Sequence, residues 1–84
     1  MSDIPRIAEL RVLEAWCPSK TDTGSIVLWL YPDGAQVSKG EVVAEFMVSK
    51  VTLEVEAPEA GVLRIRLEPE IEAYQGELLA EIHH

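Results

Sequence analysis

An all-β domain built from two small, similar antiparallel sheets is the fold class this sequence predicts, and three observations predict it. First, hydrophobicity alternates with a period of two. Ala44, Phe46 and Val48 alternate with Glu45 and Met47, and Leu53, Val55 and Ala57 alternate with Thr52, Glu54 and Glu56, as on half-buried strands. Second, turn residues interrupt these runs roughly every eight to twelve residues: Pro18-Ser19, Asp22-Thr23-Gly24, Pro32-Asp33-Gly34, Lys39-Gly40, Pro58, Gly61, Pro69 and Gly76. Third, the chain repeats itself. Gly40–Phe46 (Gly-Glu-Val-Val-Ala-Glu-Phe) matches Gly76–Ile82 (Gly-Glu-Leu-Leu-Ala-Glu-Ile) at an offset of 36 residues, while Gly24 and Pro32 match Gly61 and Pro69 at an offset of 37.

Each element has its own signal. Ile7–Leu13 and Ile26–Tyr31 are strand-like and richer in apolar residues. Strands through Ala44–Val48 and Leu53–Ala57 follow, then Val62–Glu68, and Leu78–Ile82 closes the chain. The two offsets place a one-residue deletion in the second copy, between Pro69 and Gly76. The first copy runs on through Met47-Val48-Ser49-Lys50-Val51 into another strand, whereas the second stops at His83-His84. The repeat predicts two half-sheets related by an approximate two-fold axis, with one hairpin tip unique to the first half. Pro5 and the polar start predict a loose N-terminus, and His83-His84 a fraying tail.

Composition narrows the function. Eighty-four residues make one domain, 1–84, burying only somewhat more than ~60% of its unfolded surface. That size leaves little room for a deep cleft and points to a carrier, binding or assembly module. Fifteen acidic residues against seven basic ones give a net charge of −8, which disfavours nucleic acid and anionic membranes as partners and suits docking onto basic protein patches. Cys17 is the single cysteine, so no internal disulfide is possible. No start resembling a secretion signal and no run of ~20 apolar residues occurs. The expected location is the cytoplasm. No Cys/His cluster suggests a metal site, and no phosphate-binding loop or nucleophile triad is present.

One residue stands out. Val48 and Val51 bracket Ser49-Lys50 between two alternating strands, the arrangement of a two-residue hairpin. Ser-Lys lacks the usual Asn-Gly or Asp-Gly turn chemistry, so the strands must hold the turn. Such a turn displays the Lys50 amine at an exposed, fixed point. Lys20 and Lys39 lack that context.

The spacing around Lys50 resembles the biotinyl/lipoyl attachment domains. Gly40 lies ten residues before Lys50, and Glu54-Val55-Glu56-Ala57-Pro58-Glu59-Ala60-Gly61 follows it. The likeness covers residues 24–82. It implies a barrel-sandwich hybrid, a flattened barrel of two antiparallel sheets, with Lys50 at one end as the point of covalent attachment. Ser49 and Val51 would flank it, and Gly40, Gly61 and Gly76 would serve as structural turns. Biotin carriers typically carry Met-Lys-Met and lipoyl domains Asp-Lys-Ala. Ser49-Lys50-Val51 is closer to the second, so lipoate is the expected cofactor and biotin the alternative. Met47 departs from the pattern, since lipoyl domains often have glutamate there. Ile71 falls near a turn where the family usually has Gly-Asp.

The resemblance implies a non-catalytic swinging-arm carrier, loaded by a lipoate ligase or lipoyl transferase. It would serve dehydrogenase, acyltransferase and dihydrolipoyl dehydrogenase components of a multienzyme complex. An unmodified interaction domain is the remaining alternative. The family also places the loop Ala15–Thr23 near the lysine. In that loop Trp16 reads first as a residue folded onto the barrel and second as a docking anchor. Cys17 reads as a small buried hydrophobe before a redox partner. The lack of a Pro/Ala-rich linker favours a free subunit over a domain excised from an acyltransferase.

Overall fold

Seven strands and no helix form the described part of the chain, residues 6–84 of the computed structural model. They are β1 (Ile7–Arg11), β2 (Gly24–Trp29), β3 (Gln36–Val37), β4 (Val42–Val48), β5 (Val51–Glu56), β6 (Gly61–Ile65) and β7 (Leu78–His83). Two antiparallel sheets result, ordered β1-β7-β6-β3 and β2-β4-β5. Neither closes on itself, and the pair is a flattened sandwich rather than a barrel. The loose start expected from Pro5 lies outside the described residues.

The repeat is physical as well as textual. Gly40 and Gly76 both adopt φ 86°, a left-handed conformation that glycine enters without a Cβ clash. The Gly40 amide donates to the Ala57 carbonyl and the Ala57 amide to the Glu41 carbonyl, each at 2.8 Å. Correspondingly, the Gly76 amide donates to Val12 at 2.8 Å and the Val12 amide to Glu77 at 3.0 Å. Even the side chains match. Glu41 Oε1 accepts from the Ser38 amide at 2.6 Å, and Glu77 Oε1 from the Tyr74 amide at 3.0 Å.

These bonds show what the second copy lacked in sequence. Ala57 follows β5, the hairpin partner of β4, and its counterpart Val12 follows β1. The N-terminal strand therefore completes the second half, pairing with β7 from Ile7↔His83 to Arg11↔Leu78, just as β5 pairs with β4. Only the first half joins these two strands by a turn.

A bulge in each half explains the two adjacent apolar residues of the repeat. Register slips between Val42 and Ala44 and around Leu79, leaving one residue without a partner. Val43 and Leu79 are those residues, and both point into the core with no exposed surface. Beyond the bulges, alternation resumes as the sequence suggested, with Ala44, Phe46, Val55, Ala80 and Ile82 buried.

Each half also reaches into the other. After β2, the chain crosses so that β3 pairs with β6 (Val37↔Gly61), and Ala73 forms the equivalent bridge with Gly24. Both glycines are places of close approach. A Cβ on Gly61 would stand 2.5 Å from the His83 carbonyl oxygen, and one on Gly24 would stand 2.7 Å from that of Met47.

The structure departs from the sequence expectations at several places. Val62–Glu68 is not strand throughout: β6 ends at Ile65, because the Arg66 and Leu67 amides both turn to the Leu79 carbonyl. Ile7–Leu13 and Ile26–Tyr31 likewise end earlier, at Arg11 and Trp29. The two-residue β3 was not expected, being too short to show a period. His83 is no fraying tail. It is paired within β7 opposite Ile7 and Val62, its Nε2 lies 3.0 Å from Glu81 Oε1, and the His84 amide donates to Arg6. At the shortened turn of the second copy, Glu70 rather than Ile71 takes the special conformation (φ 70°). Its amide donates to Ile26, as that of Gly34 (φ 90°) does to Leu63.

Two predictions follow from these contacts. Gly61→Ala should cost more stability than Gly40→Ala, measured by denaturant titration. The Gly40 Cβ would meet nothing within 4 Å, so that variant bears only the left-handed penalty of roughly 1–2 kcal/mol. Gly61 adds a backbone clash, and equal losses would refute the close approach.

The second concerns acid. Glu41 accepts hydrogen bonds from the Tyr31 hydroxyl at 2.7 Å and from the Ser38 amide, which hold its carboxyl below the ordinary value of 4.5. A depressed folded value means stability present above about 4.5 and lost as pH falls through the lower folded value. Glu41→Gln should therefore show a shallower fall in melting temperature below that pH than the parent, and an unchanged slope would exclude the contribution.

Candidate functional site

The β4–β5 hairpin carries Lys50 at one end of the sandwich. Val48 and Val51 form the last pair of the ladder, and Ser49 and Lys50 make the turn with φ 48° and 69°. Positive φ at both central residues defines the type I′ turn, whose twist matches that of the flanking strands. Residues other than glycine or asparagine hold this conformation at a cost of order 1 kcal/mol each. The expected turn is thus present, and the ladder from Val42↔Glu56 to Val48↔Val51 imposes it.

Core packing anchors that ladder. Phe46, Val48 and Val55 are buried, while Ser49, Lys50 and Val51 are exposed, Val51 at 56%. None of the ion pairs among the described residues involves Lys50. The amine stands on a rigid base and faces solvent.

The loop Ala15–Thr23 packs beside the tip, as the resemblance implied. Its Trp16 ring lies 5.3 Å from the ring of Phe46, tilted by 36°, so Trp16 is folded onto the core of the sandwich. Ala15, Trp16, Pro18 and Asp22 on one side, with Val48, Ser49, Val51 and Leu53 on the other, line a shallow groove of about 370 Å³ at the foot of the turn. Sequence reasoning did not find the contributions of Asp22 and Leu53. They belong to separate segments joined only by folding, and neither has a distinguishing residue type.

Cys17 is fully buried. Burial and the nearby Asp22 charge push its thiol pKa up. Its carbonyl accepts from Gln75 at 3.1 Å, tying the loop to the second half. Lys20 is exposed in the same loop and Lys39 in the turn before Gly40. Neither sits in a strained two-residue hairpin. Gly40 and Gly76 lie in turns with φ 86°, whereas Gly61 is not a turn residue but the first residue of β6, where the His83 backbone approaches closely.

What the residues offer a covalently attached group is a single exposed primary amine on a short, fixed turn. An acid-bearing cofactor of the biotin or lipoate type fits that chemistry by amide formation at Nζ. The flanking Ser49 and Val51 are themselves exposed at the tip.

The strain in the turn is directly testable. Ser49→Asn puts at the first turn position a residue that enters the left-handed region readily. It should raise unfolding free energy by about 0.5–1 kcal/mol, and a loss of stability would show that the turn is not type I′.

With the geometry described, comparisons place the chain. The family model described as "Biotin-requiring enzyme", the biotin/lipoyl attachment model, matches residues 17–82. The dihydrolipoyllysine-residue acetyltransferase component 3 of the mitochondrial pyruvate dehydrogenase complex of Arabidopsis thaliana is 35% identical over 81 residues, covering 94% of this chain and 15% of that protein. The corresponding acetyltransferase component of Rickettsia conorii is 40% identical over 52 residues, covering 62% of this chain and 12% of its own length. That of Rickettsia felis is 44% identical over 46 residues, covering 55% and 11%. The chain thus spans only a small part of these relatives. The two antiparallel sheets, the internal two-fold repeat and the match over residues 17–82 together establish that this chain belongs to the biotin/lipoyl attachment domain family.

Proposed function

We propose that this domain is a swinging-arm carrier in which Lys50 takes lipoate through an amide bond and presents it to the active sites of a multienzyme complex. The observation that carries this reading is the Lys50 turn itself: a lysine at φ 69° on a type I′ hairpin, locked by the Val48↔Val51 pair. A surface lysine needs no such strained and rigid platform, whereas an attachment point benefits from one.

The chain's own residues do three things in this scheme. The β4–β5 ladder fixes the origin of the arm. Ser49 and Val51 leave the Lys50 amine open to a modifying enzyme. The buried core, with Trp16 packed on Phe46, keeps the domain rigid beneath the tip. When bound, the lipoyl group would supply a dithiolane, the chemistry for carrying an acyl or related fragment taken up together with two electrons, which the dihydrolipoyl dehydrogenase partner would later remove. Tethering raises the effective concentration of that fragment at each partner. The partners of this reading are a lipoate ligase or lipoyl transferase for loading, then dehydrogenase, acyltransferase and dihydrolipoyl dehydrogenase components. The relatives' description as dihydrolipoyllysine-residue acetyltransferase components of pyruvate dehydrogenase complexes supports it. The domain itself performs no chemistry.

Biotin is the second reading, favoured by the family's description as biotin-requiring enzymes. Ser49 and Val51 in place of flanking methionines argue for lipoate instead.

Intact mass after incubation with lipoate, ATP and a lipoate–protein ligase tests the proposal. One lipoyl group should add to the native chain and none to Lys50→Arg, which keeps charge and fold but offers no acyl acceptor. Lipoylation of the arginine variant, or biotin uptake in place of lipoate, would overturn it.

A further inference from the structure

The two sheets differ in charge. Strands β1, β6 and β7 carry Glu9, Arg11, Arg64 and Glu81, two of each sign, and Arg11–Glu9 and Arg66–Glu81 are ion-paired. Strands β2, β4 and β5 carry Glu45, Glu54 and Glu56 and no cation. None of these three forms an ion pair among the described residues. Glu45 and Glu54 are direct cross-strand partners, an arrangement of like charges that weakens a sheet.

Apolar residues lie on the same outer face. Register puts Leu28 beside Glu45, and Met47 between Ser25 and Thr52. Leu28 and Met47 are each 40% exposed. Val27, left unpaired by the bulge in β2, adds to them at 36%. The face is therefore an apolar centre with a one-sign acidic frame, and the fold itself makes no use of that frame.

Its position selects the occupant. Met47↔Thr52 is the next pair below Val48↔Val51, and Glu45↔Glu54 lies three pairs below it, about 10 Å along the strands. A protein contact covers about 800 Å² per partner, a patch roughly 30 Å across. An enzyme with the Lys50 amine in its active site is thus within reach of this face.

We propose that the outer face of β2, β4 and β5 is the surface on which the enzyme that acylates Lys50 docks. Its own contact patch would be apolar at the centre and basic at the rim, complementary to Glu45, Glu54 and Glu56. This inference rests on Lys50 being the acyl acceptor. Opposite charge steers the encounter, and Leu28 and Met47 supply the burial that holds it.

The test is the rate of lipoylation of the whole chain by a lipoate–protein ligase with lipoate and ATP, followed by intact mass over a range of about 20–300 mM salt. For the native chain kcat/KM should fall as salt rises. Glu45→Gln/Glu54→Gln should lose about tenfold in kcat/KM at low salt, through KM with kcat kept, and show a flatter salt dependence. Its melting temperature should hold or rise, because a like-charge pair has gone. Glu59→Gln/Glu81→Gln, with the same change in charge away from this face, one before β6 and one on β7 of the other sheet, should behave as the native chain. Native KM and salt dependence in the first variant, or equal losses in both, would overturn the docking surface and leave Lys50 as the acceptor. A native chain that gains no lipoyl mass at saturating ligase would overturn the acceptor reading and this inference with it.

Discussion

The close approach of backbone at Gly24 and Gly61 is the constraint on which the rest of this domain depends. At each, the first residue of a strand lies against the opposite half. Gly24 exchanges hydrogen bonds with Ala73 at 3.0 and 2.8 Å, and Gly61 is paired with Val37. A side chain at either position would strike a strand of its own half, at Met47 or at His83. These residues are themselves related by the repeat. Two small sheets that shared only a face of apolar side chains would slide. Here each half contributes a segment to the other, so the sheets cannot separate without breaking backbone hydrogen bonds in both.

That interlock has a mechanical consequence at the tip. Gly24 is opposite Val48, the last residue of β4 before the turn. The place where the halves join is therefore also the place where the Lys50 hairpin leaves the body of the domain. Phe46, two residues earlier, is fully buried and carries Trp16 on its ring, which seats the adjoining loop. Strain in Ser49 and Lys50 is sustained because this base cannot shift. In a domain of this size, where total stability is small, a strained turn and a like-charge pair on the same sheet both weigh against folding. Both lie on the sheet that displays the lysine.

The two-fold relation is broken at one place. The halves have matching turns at Gly40 and Gly76, matching bulges at Val43 and Leu79, and matching bonds from Ala57 and Val12. They differ in connectivity. β4 and β5 are joined by Ser49-Lys50, whereas β1 and β7 are the first and last strands in chain order and are not consecutive. Among the described residues, only the first half thus carries a two-residue tip, the one that displays Lys50.

Much of this was legible in the sequence, because the determining signals are local. Alternation at Ala44–Val48 and Leu53–Ala57 marks strands whose side chains must face core and solvent in turn. A heptad that recurs after 36 residues implies a recurring structure. A two-residue gap between paired valines leaves only a tight hairpin, and so Lys50 at its tip. What the tertiary structure alone decided involves partners distant in sequence. The β1 strand shares no obvious repeat motif with β5, and its role as the missing strand of the second half appears only in its pairing with β7. β3 is too short to carry a period, and His83 gains its place from β1 and β6 rather than from its neighbours. The separation of charge between the sheets is likewise invisible along the chain, where Glu45, Glu54 and Glu81 look alike. Pairing sets Glu81 beside Arg66 and Glu45 beside Glu54. Local propensity specifies a strand, but which strand lies beside it is settled only when the whole core is buried.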